Sequence, residues 1–422
     1  MTTIHHVACT VCGCVCDDLS VTVEDGRIAS FAPPCPLAAP WLLGQNSCHP
    51  ASAFIDGRPA DVESAYRRAA ELLHESHSPL IYGLSRSTTD GQRAATALAE
   101  LLGGTIDTTA STGHAPSLLA LQDIGESTCT LGEIKNRADL VIYWGSDPVH
   151  THPRHMERYA VQPRGRFVPN GRADRFVVVA DDVRTDSAAE ADLFLPLTSG
   201  SHWEAFETLR MLVKGLPCPD ASAAMRLLAE KMKACRCGVI FFGHVVVHEP
   251  AAHRTVASLL QLVTDLNSFT RFYARRMRRY GDVAGADAVL SWQTCYPFGV
   301  NFARGFPRYN PGEFTGPDML SRGEVDAALI VCGETAADLP PAALNRLRSV
   351  PVILLDPPGA EPVVPAAVRF TTAVYGVHRP GTAYRMDNVP IPLRTLLPTN
   401  FPSDDEVLSE LHSRLASIPS DR

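Results

Sequence analysis

Residues 138–148 read Ala138-Asp139-Leu140-Val141-Ile142-Tyr143-Trp144-Gly145-Ser146-Asp147-Pro148. A short apolar run that stops at glycine is what a parallel strand buried on both faces looks like. The pattern recurs along the chain. Pro79 to Leu84 is apolar, a polar loop with Ser85, Ser87 and Thr88 follows, and Gln92 to Leu102 carries apolar residues at helical spacing. Phe176 to Ala180 stops at Asp181, Gly238 to Phe242 at Gly243-His244, Asp326 to Val331 before Gly333-Glu334, and Val350 to Leu355 at Asp356. Strands alternating with helical segments imply parallel sheets with right-handed crossovers. At 422 residues the chain is about three domain lengths, so two or more interleaved α/β domains are expected. In such sheets ligands sit beyond the carboxyl ends of the strands. The loops starting at Gly83, Gly145, Asp181, Gly243 and Asp356 are therefore the places to look. Asp181 and Asp356 directly follow strands, where an acidic residue takes a ribose hydroxyl or a guanine edge, or simply caps a helix.

Composition narrows the function classes. Hydrophobic residues make up 45% and charged residues 20%, a globular balance. The net charge of −8 argues against nucleic-acid binding, which needs a cationic surface. No apolar run reaches 18 residues, so no spanning helix is expected. Met1 to His6 lacks a basic region followed by an apolar stretch, which makes the cytoplasm the expected location. No G-x-G-x-x-G follows the first strand of the α/β pattern, and neither a P-loop, H-E-x-x-H nor G-x-S-x-G occurs.

Twelve cysteines are the excess that points to chemistry. Cys9-x2-Cys12-x3-Cys16 is followed by Cys35, around a predicted hairpin of Leu19 to Val23, Asp25-Gly26 and Arg27 to Ala29. Four converging thiolates suit an iron–sulfur cubane or a tetrahedral zinc. Cys14 reads as a bystander inside the loop, and Cys48 as the rival of Cys35 for the fourth position. His150, His152 and His155 have a spacing that allows zinc, but a ligand-facing or subunit-facing loop is the preferred reading. Arg271, Arg275, Arg276, Arg278 and Arg279 form a basic run, read either as a solvated helix face or as an anion channel.

Longer blocks carry a resemblance. Cys9-Thr10-Val11-Cys12-Gly13-Cys14-Val15-Cys16-Asp17-Asp18, Trp144-Gly145-Ser146-Asp147-Pro148-Val149-His150-Thr151-His152-Pro153-Arg154-His155, Ser291-Trp292-Gln293-Thr294, Pro307 to Glu313 and Gly381-Thr382-Ala383-Tyr384-Arg385-Met386-Asp387 follow one another in a family's order. Together they resemble the B subunit of formylmethanofuran dehydrogenase, within the molybdopterin oxidoreductase superfamily. The resemblance implies a multidomain, formate-dehydrogenase-like α/β fold with interleaved Rossmann-like parallel sheets. A small β-rich, cysteine-rich iron–sulfur-type domain (1–58) would precede α/β domains around a pterin-type cleft (59–375) and a C-terminal segment (376–422). It also implies a [4Fe-4S] cluster on Cys9, Cys12, Cys16 and Cys35, and a molybdenum or tungsten bis-pterin guanine dinucleotide. Trp144, Gly145, Asp147, Asp181, Arg184, Thr185, Thr382, Tyr384 and Asp387 would face that cofactor. His114 and Arg278 carry over as active-site residues, the arginine orienting a carboxylate. Partners would be A-, C- and D-type subunits and a methanofuran-like carrier.

One position departs from the pattern. The family's metal ligand is a cysteine or selenocysteine directly before histidine, in a block like T-A-S-x-C-H-G. Here the block is Thr109-Ala110-Ser111-Thr112-Gly113-His114-Ala115, so glycine stands where a thiolate is needed. In addition, Pro36-Leu37 follows Cys35, where active redox relatives often carry a basic residue. The version of the family that fits is the bacterial formyltransferase/hydrolase complex linked to tetrahydromethanopterin, with this chain as a structural, non-redox B subunit. The alternative is an active dehydrogenase subunit interconverting CO2 and formate.

Overall fold

The apolar runs identified above are all strands in the structure, a computed structural model that describes residues 1–46 and 50–418. Cys48 lies outside the described residues. The chain divides into two compact units. The first comprises Met1–Thr112 and Tyr280–Arg422, and the second is the continuous insertion Gly113–Arg279.

In the first unit, a nine-stranded sheet has five parallel strands at its centre. Their order is Thr105–Thr108, Pro79–Gly83, Ala327–Val331, Val352–Asp356, Val368–Thr371. Among them, the apolar strands Pro79–Gly83, Ala327–Val331 and Val352–Asp356 are buried at every position. Such burial on both faces is why their sequences show no alternation. Short antiparallel strands extend the sheet at both edges: Val300–Asn301 and Arg308–Tyr309 at one, Ala53–Ile55 and Arg58–Ala60 at the other. The helices Val62–Glu75, Thr89–Leu102 and Asp404–Ser417 contribute Ala69, Leu73, Leu98, Val407 and Leu411 to one core cluster with Ile81, Leu329 and Phe370. The last helix starts with a capping box of Ser403 and Glu406, which satisfies its first N–H groups. The N-terminal segment forms a separate three-stranded antiparallel sheet of Thr2–Val7, Leu19–Glu24 and Arg27–Ala32.

The second unit is one fully parallel sheet. Its order is Leu193–Pro196, Phe176–Asp181, Leu140–Trp144, Cys237–Phe242, Arg271–Arg276. The helices His202–Val213, Ala223–Ala234 and Ala252–Leu266 bury Phe206, Leu228 and Leu259 in the cluster that holds Ile142 and Ile240.

Both sheets have a point where the chain leaves a central strand in opposite directions. In the first unit it lies between Pro79–Gly83 and Ala327–Val331. In the second it lies between Leu140–Trp144 and Cys237–Phe242. Crevices form at such points, so the loops after these four strands position the candidate sites. The basic run is no solvated helix face: Arg271–Arg276 is an edge strand, and Arg275, Arg276 and Arg278 are buried.

Candidate functional site

The cysteine loop belongs to the first unit. Cys9, Cys14 and Cys16 are buried, and Cys12 and Cys35 are half-buried. The Cys9 N–H donates to the Cys16 carbonyl at 2.8 Å and the Val15 N–H to the Cys12 carbonyl at 3.1 Å, closing the loop on itself. Val15 has φ +33°, a left-handed conformation that strains a β-branched residue. The Met386 N–H donates to the Gly13 carbonyl at 2.9 Å, which ties the loop to the 382–387 segment. The four proposed ligands sense one another. The Cys9 thiol is pushed up by burial first, then by Cys12, Cys16 and Cys35, and the Cys35 thiol is raised by burial and by Cys12 and Cys16. Cys14, expected to be a bystander, hydrogen-bonds Cys12 and Cys16 and stays protonated, whereas its hydrogen bond pulls Cys12 down. Among the described residues, no group of three or more His, Cys, Asp or Glu is arranged to hold a single metal ion. A cubane asks for less convergence, because each thiolate binds its own iron at a separate corner. The donor set of soft thiols fits that group.

Beside this loop, the strand ends of the first unit enclose a cavity of about 250 Å³. Arg86, Cys332, Glu334, Tyr375 and Asp404 are among its lining residues. Leu84 (φ +73°) and Cys332 (φ +64°) flank the point where the chain diverges, two non-glycine residues in the left-handed region. Such strain concentrates at functional sites. Asp356 is buried; its Oδ1 accepts from the Gly333 N–H at 2.7 Å, and its Oδ2 has no hydrogen-bond partner. Burial raises the Asp356 carboxyl and pushes Asp404 up to about 7. An unsatisfied buried acceptor beyond a strand end fits a polar, donor-bearing ligand. In the 382–387 segment, the Thr382 carbonyl accepts from the Thr89 hydroxyl and the Tyr384 N–H donates to Asp282 at 2.6 Å. Asp387 is held by both arms of Arg385, at 2.6 and 2.8 Å. Nothing local in the sequence marks Arg86 or Glu334. The loop after Gly83 stands out only for its serines, and the arginine between them carries no signal of its own.

In the second unit, Gly145 (φ +56°) and Gly243 let two loops meet. A Cβ on Gly243 would stand 2.4 Å from the Gly145 carbonyl oxygen. Trp144 is a core residue: its Nε1 donates to His202 Nδ1 at 2.9 Å and its ring packs on Phe206 at 4.4 Å. Only its backbone remains for a ligand. Asp147 accepts from the Ser187 hydroxyl. Burial lifts Asp181 to about 6, with Asp182 adding to it. The Arg184 guanidinium lies over the Phe194 ring at 5.1 Å, and Thr185 Oγ1 is buried without a partner. The three histidines diverge. His150 is exposed and meets Asp186 at 2.9 Å, His152 Nε2 donates to the Arg278 carbonyl at 2.7 Å, and His155 Nδ1 meets the Tyr143 hydroxyl at 2.9 Å. They do not form a zinc site. Burial holds His152 near 4.

His114 and Arg278 are both buried in this unit. The His114 ring is kept neutral first by burial, then by Arg278 and Arg276, and its Nδ1 has no hydrogen-bond partner. The ring hydrogen-bonds the Met277 backbone, which leaves Nδ1 as its unpartnered nitrogen. Arg276 pairs with buried Glu126, and Arg275 donates to the Thr128 hydroxyl at 2.6 Å. Gly113 closes the helix Ala110–Gly113, and a Cβ built on it meets no atom within 4 Å. Its φ lies outside the left-handed region, so the backbone does not require glycine there.

No helix among the described residues is long and apolar enough to cross a membrane. No protein-family model matches the chain. It is 39% identical to the B subunit of a tungsten-containing formylmethanofuran dehydrogenase 2 from Methanocaldococcus jannaschii, over 98% of this chain and 99% of that protein. It is 29% identical to the B subunit of the formyltransferase/hydrolase complex from Methylorubrum extorquens, over 66% of this chain and 74% of that protein. Among solved structures it is similar to a chain of the Methylorubrum extorquens formyltransferase/hydrolase complex with methylofuran, at TM-score 0.72 and 26% identity, covering 86% of this chain and 98% of that one. Acetylene hydratase from Pelobacter acetylenicus shares the fold at TM-score 0.67 and 11% identity, covering 98% of this chain and 69% of that one.

Proposed function

Because this chain belongs to the family of formylmethanofuran dehydrogenase B subunits, we propose that it is the B subunit of a tetrahydromethanopterin-linked formyltransferase/hydrolase complex, with a structural and non-redox role. Its partners are the other subunits of that assembly and a methanofuran-like carrier. This part of the reading is supported by the likeness to the complex crystallised with methylofuran. The non-redox part rests on Gly113. A Cβ there meets no atom within 4 Å and the backbone lies outside the left-handed region, so folding does not demand glycine at this position. Without the thiolate, the chain would supply no soft ligand at the position where the family pattern places the cysteine of the metal site.

The segment 1–58 is read as an iron–sulfur domain, in which Cys9, Cys12, Cys16 and Cys35 would hold a [4Fe-4S] cluster able to store one electron. In the first unit the loop at Asp356, and separately in the second the loop at Asp181 and Thr185, would each offer unsatisfied or weakly satisfied polar atoms to a nucleotide. The Arg278 guanidinium would hold a small carboxylate such as formate by hydrogen bond and charge, while neutral His114, whose ring donates to the Met277 backbone, would present Nδ1 as an acceptor beside it. No redox step at a molybdenum or tungsten ion is assigned to these residues.

A second reading has its own support. The 39% identity to the B subunit of the tungsten enzyme spans nearly the entire chain, more than the match to the hydrolase complex does. Under it the chain is an active dehydrogenase subunit interconverting CO2 and formate. Metal analysis of the purified complex, with viologen-linked formate oxidation, separates the two. The non-redox reading expects tungsten and molybdenum far below one per chain and no viologen reduction. Stoichiometric metal together with formate-dependent viologen reduction overturns it.

A further inference from the structure

We propose that Arg86 is a positioning residue for the cysteine loop, holding the backbone between Cys9 and Cys12 and linking it to the carboxylate of Glu334. Arg86 Nη1 donates to the Thr10 and Val11 carbonyls, both at 2.8 Å. Its Nε donates to Glu334, which leaves from the neighbouring strand. The Tyr280 ring lies 5.1 Å from the guanidinium. The Arg86 side chain is 13% exposed and Glu334 53%, so the inner end of the link is fixed and the outer end is in solvent.

The loop needs this anchor for a physical reason. Thr10 is fully buried, and a buried carbonyl without a donor keeps its full desolvation penalty. The surrounding chain adds little. The Tyr375 hydroxyl reaches the Thr10 carbonyl only at 3.5 Å, and Gly281 contributes space: a Cβ there would stand 2.0 Å from that oxygen. Arg86 thus supplies the short hydrogen bonds to these two carbonyls. A planar guanidinium serves two carbonyls and a carboxylate at once, whereas a lysine ammonium lacks that fork.

A second consequence rests on the proposed cluster. Potentials of such clusters follow the charge and hydrogen bonding around them. A fixed cation beside the loop stabilises the reduced, more negative state and raises the potential, and Glu334 offsets part of that effect.

Hydrogen exchange of the 8–16 backbone, followed by mass spectrometry on the full metal-free chain, tests the anchor. Arg86→Met should speed exchange of the Cys9 and Val15 amides at least tenfold, Arg86→Lys by an intermediate factor, and Glu334→Gln by less than threefold. Unchanged protection in Arg86→Met overturns the proposal. If that variant does not fold, Arg86→Lys decides, and an acceleration below twofold overturns it. Anaerobic reconstitution with iron and sulfide tests the charge effect. Wild-type iron content reports on the cluster reading by itself, independently of the exchange result. Where the cluster forms, Arg86→Met should lower its midpoint potential and Glu334→Gln should raise it. Shifts of the same sign would refute the electrostatic role, since loosening of the loop alone gives no such opposition.

Discussion

Replacing Gly113 by cysteine separates a glycine that the fold needs from one that the chemistry no longer uses. Gly113 is the last residue of the helix Ala110–Gly113, its φ is outside the left-handed region, and a Cβ there meets nothing within 4 Å. Glycine inside a helix costs about 0.5–1 kcal/mol relative to alanine, and cysteine lies between the two. At a helix end part of that difference survives, so Gly113→Cys should change stability by about 0 to +0.5 kcal/mol. A full kcal/mol moves Tm by about 2–4 °C even in a domain of 150–250 residues. The expected shift is therefore under about 2 °C, read by differential scanning fluorimetry on the full chain. Thiol counting should find one additional cysteine, and formate-linked viologen reduction should stay absent in metal-free protein. A fall in Tm of more than about 4 °C would mean that glycine is structural here. The reasoning from an unexplained missing thiolate would then fail.

Two further expectations concern buried carboxylates of the first unit. Asp282 is fully buried and accepts from the Tyr384 N–H at 2.6 Å, the Gly285 N–H at 3.0 Å and Gln92 Nε2 at 3.0 Å. Asp282→Ala removes a helix cap and strands two buried donors, a loss of about 3–5 kcal/mol in urea unfolding. Asp282→Asn should lose less than half of that, and equal losses would show that acceptor geometry is not what matters. Asp107 accepts from the N–H groups of Thr108, Gly299 and Gly316, yet burial lifts it to about 7. Its unfolded value is about 3.9. The raised value means that this group's contribution is present below pH 4 and is lost as pH rises to 7. Asp107→Asn should flatten the stability profile between pH 4 and 7, and an unchanged slope would refute the assignment.

Much of the fold was legible because burial on two faces leaves an unmistakable trace. Val141-Ile142-Tyr143-Trp144 and Val177-Val178-Val179-Ala180 need no partner to be read as strands. The basic run was not legible in the same way. Arg275 and Arg276 look solvated until Thr128 and Glu126, about 150 residues earlier in the chain, are found beside them. Trp144 shows the opposite limit. The sequence block marks it as ligand-facing, but the side chain is in the core against His202 and Phe206. A motif identifies a loop, and packing decides which of its atoms face the ligand.

By itself the sequence determined the strand–loop–helix rhythm, the spacing of the thiols and the glycine before His114, since each depends on residue type and near neighbours. Only the tertiary structure decided that Arg86 anchors the cysteine loop, that His150, His152 and His155 point apart, and that Asp356 keeps an unsatisfied oxygen. Those facts depend on directions in space between residues far apart in the chain, and periodicity carries no information about them.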